Sequence, residues 1–260
     1  MRSTSNTATD IHRPLSSLTI LSVRVHRVSI HEVLDMVEAA VDQRRRERII
    51  PVNPEMIMAA QGNIAFRHAI NGSSLALADG IGVVIASRLL RTPISTRLTG
   101  VDTLEQIAAL AESRHFRIFL LGAGEGVADR AAAHLLTRYP GLQIAGTFAG
   151  SPRPEDEELI RRTITSARPD ILFIAYGAPK QELWIERNHP HLDVPIAMCV
   201  GGAFDFLSEE KSRAPGVIRE LGLEWLYRLI QEPWRWKRML ALPRFTFAIL
   251  LHSVLAGDSR

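Results

Sequence analysis

The stretch Arg117-Ile118-Phe119-Leu120-Leu121-Gly122-Ala123-Gly124-Glu125-Gly126 decides the fold. Its first half, Arg117–Leu121, is almost wholly apolar, with no polar alternation, and three glycines end it before helical spacing begins at Val127. A short run that is apolar at every position suits a strand buried on both faces, and such strands belong to parallel sheets covered by helices. The pattern returns at Asp170–Ala175 before Gly177, and at Val194–Val200 before Gly201-Gly202. Leu142–Thr147, residues 48–52 ahead of Asn53-Pro54, and Leu75–Ala78 ahead of Asp79-Gly80 are further strands. Short apolar strands alternating with helices predict an α/β fold with a doubly wound, mostly parallel, Rossmann-like sheet.

Working outward, Leu21, Val23 and Val25 alternate with Ser22, Arg24 and His26, which reads as one more strand. Residues 1–17 are polar, lack the apolar core of a secretory signal, and read as a disordered leader. The α/β core is expected over 18–207. A helical appendage without strands follows over 208–260. With 260 residues, 46% of them hydrophobic, the chain can bury one large core. The lone Cys199 excludes an internal disulfide framework and fits a reducing compartment.

Charge is uneven. The net value is only +3, but residues 211–244 carry eight Lys/Arg against three acids. The partner of that segment should be anionic: phosphate, a membrane surface or nucleic acid. Trp225, Tyr227, Trp234 and Trp236 are interleaved with its arginines. The tail Met239–Ala256 is apolar at 13 of 18 positions but broken by Pro243 and Arg244. It is too short to span a bilayer, which needs roughly 20 apolar residues. It either lies on one or packs on the sheet.

Strand C-termini line the crevice where open α/β sheets bind ligands. The turn holding Gly122 and Gly124 opens a helix, so its N–H groups suit a diphosphate. Its G-x-G-x-G spacing departs from the dinucleotide fingerprint, and Gln143 stands where a ribose-binding acid is expected. A tight strand-to-helix turn accounts for the same glycines. Asp79, in Ala78-Asp79-Gly80, is placed to act as a general base, although Asp-Gly is also a common turn pair. Asn53 and Asp205 hold comparable positions after strands. In Tyr176-Gly177-Ala178-Pro179-Lys180-Gln181-Glu182, either Lys180 and Gln181 reach a phosphate or sugar, or Pro179 simply starts a helix and Lys180 and Glu182 are solvated. No two aspartates stand two residues apart, and there is no H-x-x-x-H or cysteine cluster. No metal or cofactor is expected, so arginines, lysines and a helix N-terminus would balance a departing diphosphate.

Taken together, the segments Asn53-Pro54-Glu55, Ala78-Asp79-Gly80-Ile81-Gly82, Arg97-Leu98-Thr99-Gly100-Val101-Asp102 and Leu121-Gly122-Ala123 resemble the WecG/TagA/CpsF family of glycosyltransferases. Tyr139-Pro140, Gly177–Glu182, Gly201-Gly202-Ala203-Phe204-Asp205, Lys211–Pro215, Leu223–Leu229 and Glu232-Pro233 continue the match in family order, from about residue 20 to 240. The resemblance implies inverting transfer from a UDP-sugar to a polyprenyl-diphosphate-linked saccharide, without an essential metal. It implies Asp79 as the base with Asn53 beside it, and Arg97, Gln181 and Asp205 lining the pocket. Asp102 and Tyr176, in or beside matched segments, join that set. The basic segment would close over the nucleotide and seat the enzyme on the cytoplasmic face of the inner membrane as a peripheral protein, with a change of oligomeric state. Nucleic acid is then not a partner. Two departures stand out: Pro51 where the family often has threonine, and Glu209 where glycine is common. Overall similarity to the xanthan-type exopolysaccharide branch makes glucose the expected sugar.

The expected chemistry is direct displacement. Asp79 deprotonates the acceptor hydroxyl, while the glycine turn with Arg213, Arg228 and Arg235 meets the departing diphosphate. Two rival readings share the fold: a nicotinamide-dependent oxidoreductase, and a non-catalytic membrane module that senses nucleotide or anionic lipid.

Overall fold

Alternate residues of each central strand enter opposite layers of core, and this sorting builds the molecule. The computed structural model describes residues 15–257, so residues 1–14 of the expected leader lie outside the described residues. A hairpin of β1 (Ser17–Ile20) and β2 (Val23–His26) comes first, then α1 (Ile30–Asp42), β3 (Glu47–Val52), α2 (Pro54–Gly62) and α3 (Ile64–Asn71). Next come β4 (Leu75–Ala78), α4 (Ile81–Leu89), α5 (Gly100–Arg114), β5 (Arg117–Gly122), α6 (Val127–Arg138) and β6 (Gln143–Phe148). The core closes with α7 (Glu157–Ala167), β7 (Ile171–Ala175), α8 (Lys180–Asn188), β8 (Ile196–Cys199) and α9 (Ala203–Leu207). The appendage holds α10 (Gly216–Glu220), α11 (Glu224–Gln231), α12 (Trp236–Met239) and α13 (Ala241–Gly257).

Six strands form one sheet in the order β4-β3-β8-β7-β5-β6, and every pairing in it is parallel. Ile118 and Leu120 of β5 face one layer with α1, α5, α6 and α9, whereas Phe119 and Leu121 face α2, α3, α7 and α8. This is the doubly wound α/β architecture that the apolar strands predict.

Pro51 lies in β3, an interior strand next to the edge strand β4, where a missing N–H normally costs a ladder bond. The ladder between β3 and β8 ends at Ile49 opposite Met198, so no partner is lost. Gly100 at the start of α5 enters the gap beyond it, packing against Pro51 and the Val200 carbonyl. The ends of β3, β4 and β8 therefore surround a helix N-terminus.

Two expectations change. The single strand read over Leu21–Val25 is a hairpin, because Leu21 and Ser22 take left-handed backbone angles (φ 46° and 66°) and turn the chain. Ser17, read as leader, opens β1. Of the two readings left open for the tail, the structure shows packing on the core. α13 packs against α2 and α4 through buried Phe245 and Ile249, leaving Phe247, Leu250 and Leu251 exposed. Among the described residues, no helix is long and apolar enough to cross a membrane.

Candidate active site

Adjacent parallel strands bring Asn53 and Asp79 together. Val52 pairs with Ala78, and the Asp79 N–H donates to the Val52 carbonyl at 2.9 Å. Asn53 caps α2, its Oδ1 accepting the Met56 N–H at 3.0 Å. A side chain at Gly82 would put its Cβ 2.7 Å from Pro54 Cγ, so glycine there lets α4 lie against α2. The half-buried Asp79 carboxylate faces the start of α5, where the Gly100 N–H favours its charged form. Burial above all, then the Glu224 carboxylate, raises its pKa from 3.8 to about 7, against the pull of Arg97 and of that N–H. Asp79 thus exchanges a proton near neutrality.

A second cluster joins the loops after β7 and β8. Gln181 is buried in the first turn of α8, and its Oε1 accepts the N–H groups of Gly177 and Gly201, each at 3.1 Å. Its Nε2 donates to Glu182 Oε1 at 2.8 Å. Both carbonyl lone pairs are used, so Gln181 acts as a clamp between loops. Glu182 is fully buried, its Oε2 meets no partner, and burial raises its pKa to about 7.

Ion pairs hold the appendage over this crevice. Lys211 Nζ bridges Asp205 at 2.9 Å and Glu232 at 3.0 Å, and Arg235 meets Glu232 at 3.1 Å. Arg213 lies 2.7 Å from Asp102 and 3.6 Å from Glu224. Arg97 Nη2 donates to the Arg219 carbonyl at 2.8 Å. Arg228 differs: it stacks over Phe206 at 4.9 Å, beside Gly202, with no ion-pair partner among the described residues. Burial, with Arg235 adding to it, holds its pKa below the usual guanidinium range.

The profile described as Glycosyl transferase WecG/TagA/CpsF family matches residues 18–258. The chain belongs to the WecG/TagA/CpsF family of glycosyltransferases. It is similar to the N-acetylglucosaminyldiphosphoundecaprenol N-acetyl-beta-D-mannosaminyltransferase of Bacillus subtilis (strain 168), with 37% identity and 81% of each chain covered. A protein of the same name from Staphylococcus aureus (strain MW2) is 35% identical, over 77% of this chain and 78% of its own. Neither name carries glucose, so these relatives lend the expected xanthan-type branch no support.

In this WecG/TagA/CpsF glycosyltransferase, the sequence-derived residues fall into distinct groups. Asn53, Asp79, Arg97 and Asp102 gather around the start of α5, and Gln181, Asp205 and Arg228 around the ends of β7 and β8. Several differ in role from the expectation. The Gly122 position is set by packing: a Cβ there would stand 2.9 Å from the Ala175 carbonyl carbon. The Ala123 N–H is taken by the Ala175 carbonyl at 3.1 Å, which leaves exposed Gly124 beside the uncapped start of α6. Tyr176 packs edge-on against Trp184 at 6.1 Å, with its hydroxyl facing Gly150 and unpartnered. Lys180 is exposed on the first turn of α8. Arg213 and Arg235 are neutralised by carboxylates, as are Asp102 and Asp205 by cations, so these four fasten the appendage in this conformation. The sequence reading gave Glu224 no role and Glu182 only a solvated one, whereas Glu182 is fully buried and Glu224 helps raise the Asp79 pKa. Glu182 carried a signal, since it shares helical spacing with buried Ile185 and His189. Glu224 carried none.

Proposed function

We propose that this chain transfers a sugar from a nucleotide sugar, with UDP as the nucleotide, to a saccharide on a polyprenyl diphosphate, with inversion. The observation that carries the reading is Asp79 at the end of β4, with a pKa near 7, beside Asn53 and the start of α5. Its carboxylate takes the proton of an acceptor hydroxyl as that oxygen bonds to the anomeric carbon. The bond from that carbon to the diphosphate oxygen breaks on the opposite face, and the nucleoside diphosphate leaves with the electron pair. Arg228, beside Gly202 at the end of β8 and without an ion-pair partner among the described residues, balances its charge. Asn53 orients the acceptor.

The relatives' names support an N-acetylhexosamine donor, N-acetylmannosamine first, and an N-acetylglucosaminyl-diphospho-polyprenol acceptor. A lipid-held acceptor requires work at a membrane surface. The exposed Trp234, Trp236 and Phe247, set among basic residues, support peripheral contact there. The test is to incubate the protein with a panel of labelled UDP-sugars and a synthetic polyprenyl-diphosphate saccharide, then follow label into organic-extractable product. UDP-N-acetylmannosamine should give the highest kcat/KM. Label released only as free sugar would overturn the reading.

A further inference from the structure

A cavity of about 350 Å3 lies where the appendage meets α2, and the chemistry at Asp79 leaves it without a task. Met56, Met58 and Ala59 of α2 and Phe66 of α3 make an apolar wall, and Ala178-Pro179 forms one lip. Three cations, Lys237, Arg238 and Arg244, stand on the appendage side. Glu55 also lines the space, but Arg238 neutralises it at 2.8 Å. Lys237 and Arg244 are exposed and have no ion-pair partner among the described residues. Apolar walls below uncompensated positive charge select an amphiphilic anion. A nucleotide would find no hydrogen-bonding side chain for its base on Met56, Met58, Ala59 or Phe66.

Two placements narrow the occupant. Glu55 and Met56 follow Asn53 within one turn of α2, so the cavity begins beside the proposed acceptor position. Leu240, Arg244, Phe247 and Leu251 are spaced i, i+4, i+7 and i+11 and share one flank of the α12–α13 region. Leu240, Phe247 and Leu251 are exposed there, which gives an apolar track leading away from Arg244.

We propose that this cavity holds the diphosphate and first isoprene units of the lipid acceptor, whose chain leaves along the Leu240–Leu251 flank. Lys237 and Arg244 pair with the diphosphate, and the walls from α2 and α3 cover the isoprenoid. The proposal rests on the polyprenyl-diphosphate acceptor class given above.

Binding of farnesyl diphosphate and of inorganic pyrophosphate to the full chain, with saturating UDP present to occupy the crevice, tests it. Farnesyl diphosphate should bind at least about tenfold more tightly than pyrophosphate, a difference of about 1.4 kcal/mol. Ala59→Trp, which fills the cavity from an exposed position, and Arg244→Glu should each weaken farnesyl diphosphate about tenfold and leave UDP affinity unchanged. Both should raise KM for the polyprenyl acceptor. Equal affinity for the two probes, or wild-type affinity and KM in both variants, would overturn the cavity's role. Farnesyl diphosphate binding with the variant pattern above, but no sugar transfer, would support the cavity and overturn the transfer reading.

Discussion

Asp79 and Glu182 are carboxyl groups that burial keeps protonated to near neutrality, yet their surroundings differ. Asp79 faces the crevice beside the start of α5, whereas Glu182 lies behind Gln181 with one oxygen unpartnered. A base must be ionised to act, so kcat/KM should rise with pH up to about 7 and level off above it. Asp79→Asn should lower kcat by about 100-fold or more, the range of general-base contributions, while calorimetry finds UDP affinity unchanged. Gln181→Ala leaves the Gly177 and Gly201 N–H groups without their acceptor. Each such loss costs ~1–3 kcal/mol, so a lowered Tm and a fall in kcat/KM are expected. Glu182→Gln keeps a carbonyl to accept from Gln181 and should retain activity where Glu182→Ala does not.

At the scale of elements, the parallel strands were legible because double-sided burial leaves an unbroken apolar run. The Ser17–His26 hairpin was not, since Leu21 and Ser22 turn it with neither glycine nor asparagine to mark the bend. The attachment of the appendage was equally hidden. Its pairs join residues as distant in sequence as Glu55 and Arg238, and a basic segment looks alike whether it meets carboxylates or phosphates. That is why Arg213 and Arg235 read as diphosphate ligands although Asp102, Glu224 and Glu232 hold them. The contact has a chemical effect, because Glu224 of α11 helps raise the pKa of Asp79. Glu224→Gln should therefore move the acid limb of the pH–activity profile to lower pH. Lys211→Ala should release the Asp205–Glu232 bridge, increase hydrogen exchange across residues 216–235, and raise KM for the nucleotide sugar several-fold.

For the whole molecule, carboxyls shielded from water, half-buried Asp79 and buried Glu182, couple folding to pH. Asp79 and Glu182 hold protons to higher pH in the folded chain than their ordinary values allow, so their ionisation destabilises it as pH rises toward about 7. Buried His26 and His189, with pKa values lowered to about 4, act oppositely between there and 6.5. The difference between variant and wild type isolates the carboxyl contribution. Asp79→Asn should gain Tm over wild type by several degrees more at pH 8 than at pH 5, measured by calorimetry. A gain that shrinks with pH would refute the buried-acid assignment. Sequence pattern gave the sheet and the crevice, but which charges neutralise one another depends on packing between remote segments.

The fastening of the appendage has one more consequence. Ala214 and Met239 are its buried apolar side chains between residues 208 and 240, so charge does most of the holding there. Electrostatic screening shortens from about 8 Å at 0.15 M salt to about 3 Å at 1 M, weakening exposed ion pairs while leaving an apolar core intact. The Arg213–Glu224 and Arg235–Glu232 pairs are shielded and keep most of their strength in salt, whereas the more exposed Arg238–Glu55 pair should weaken first as ionic strength rises.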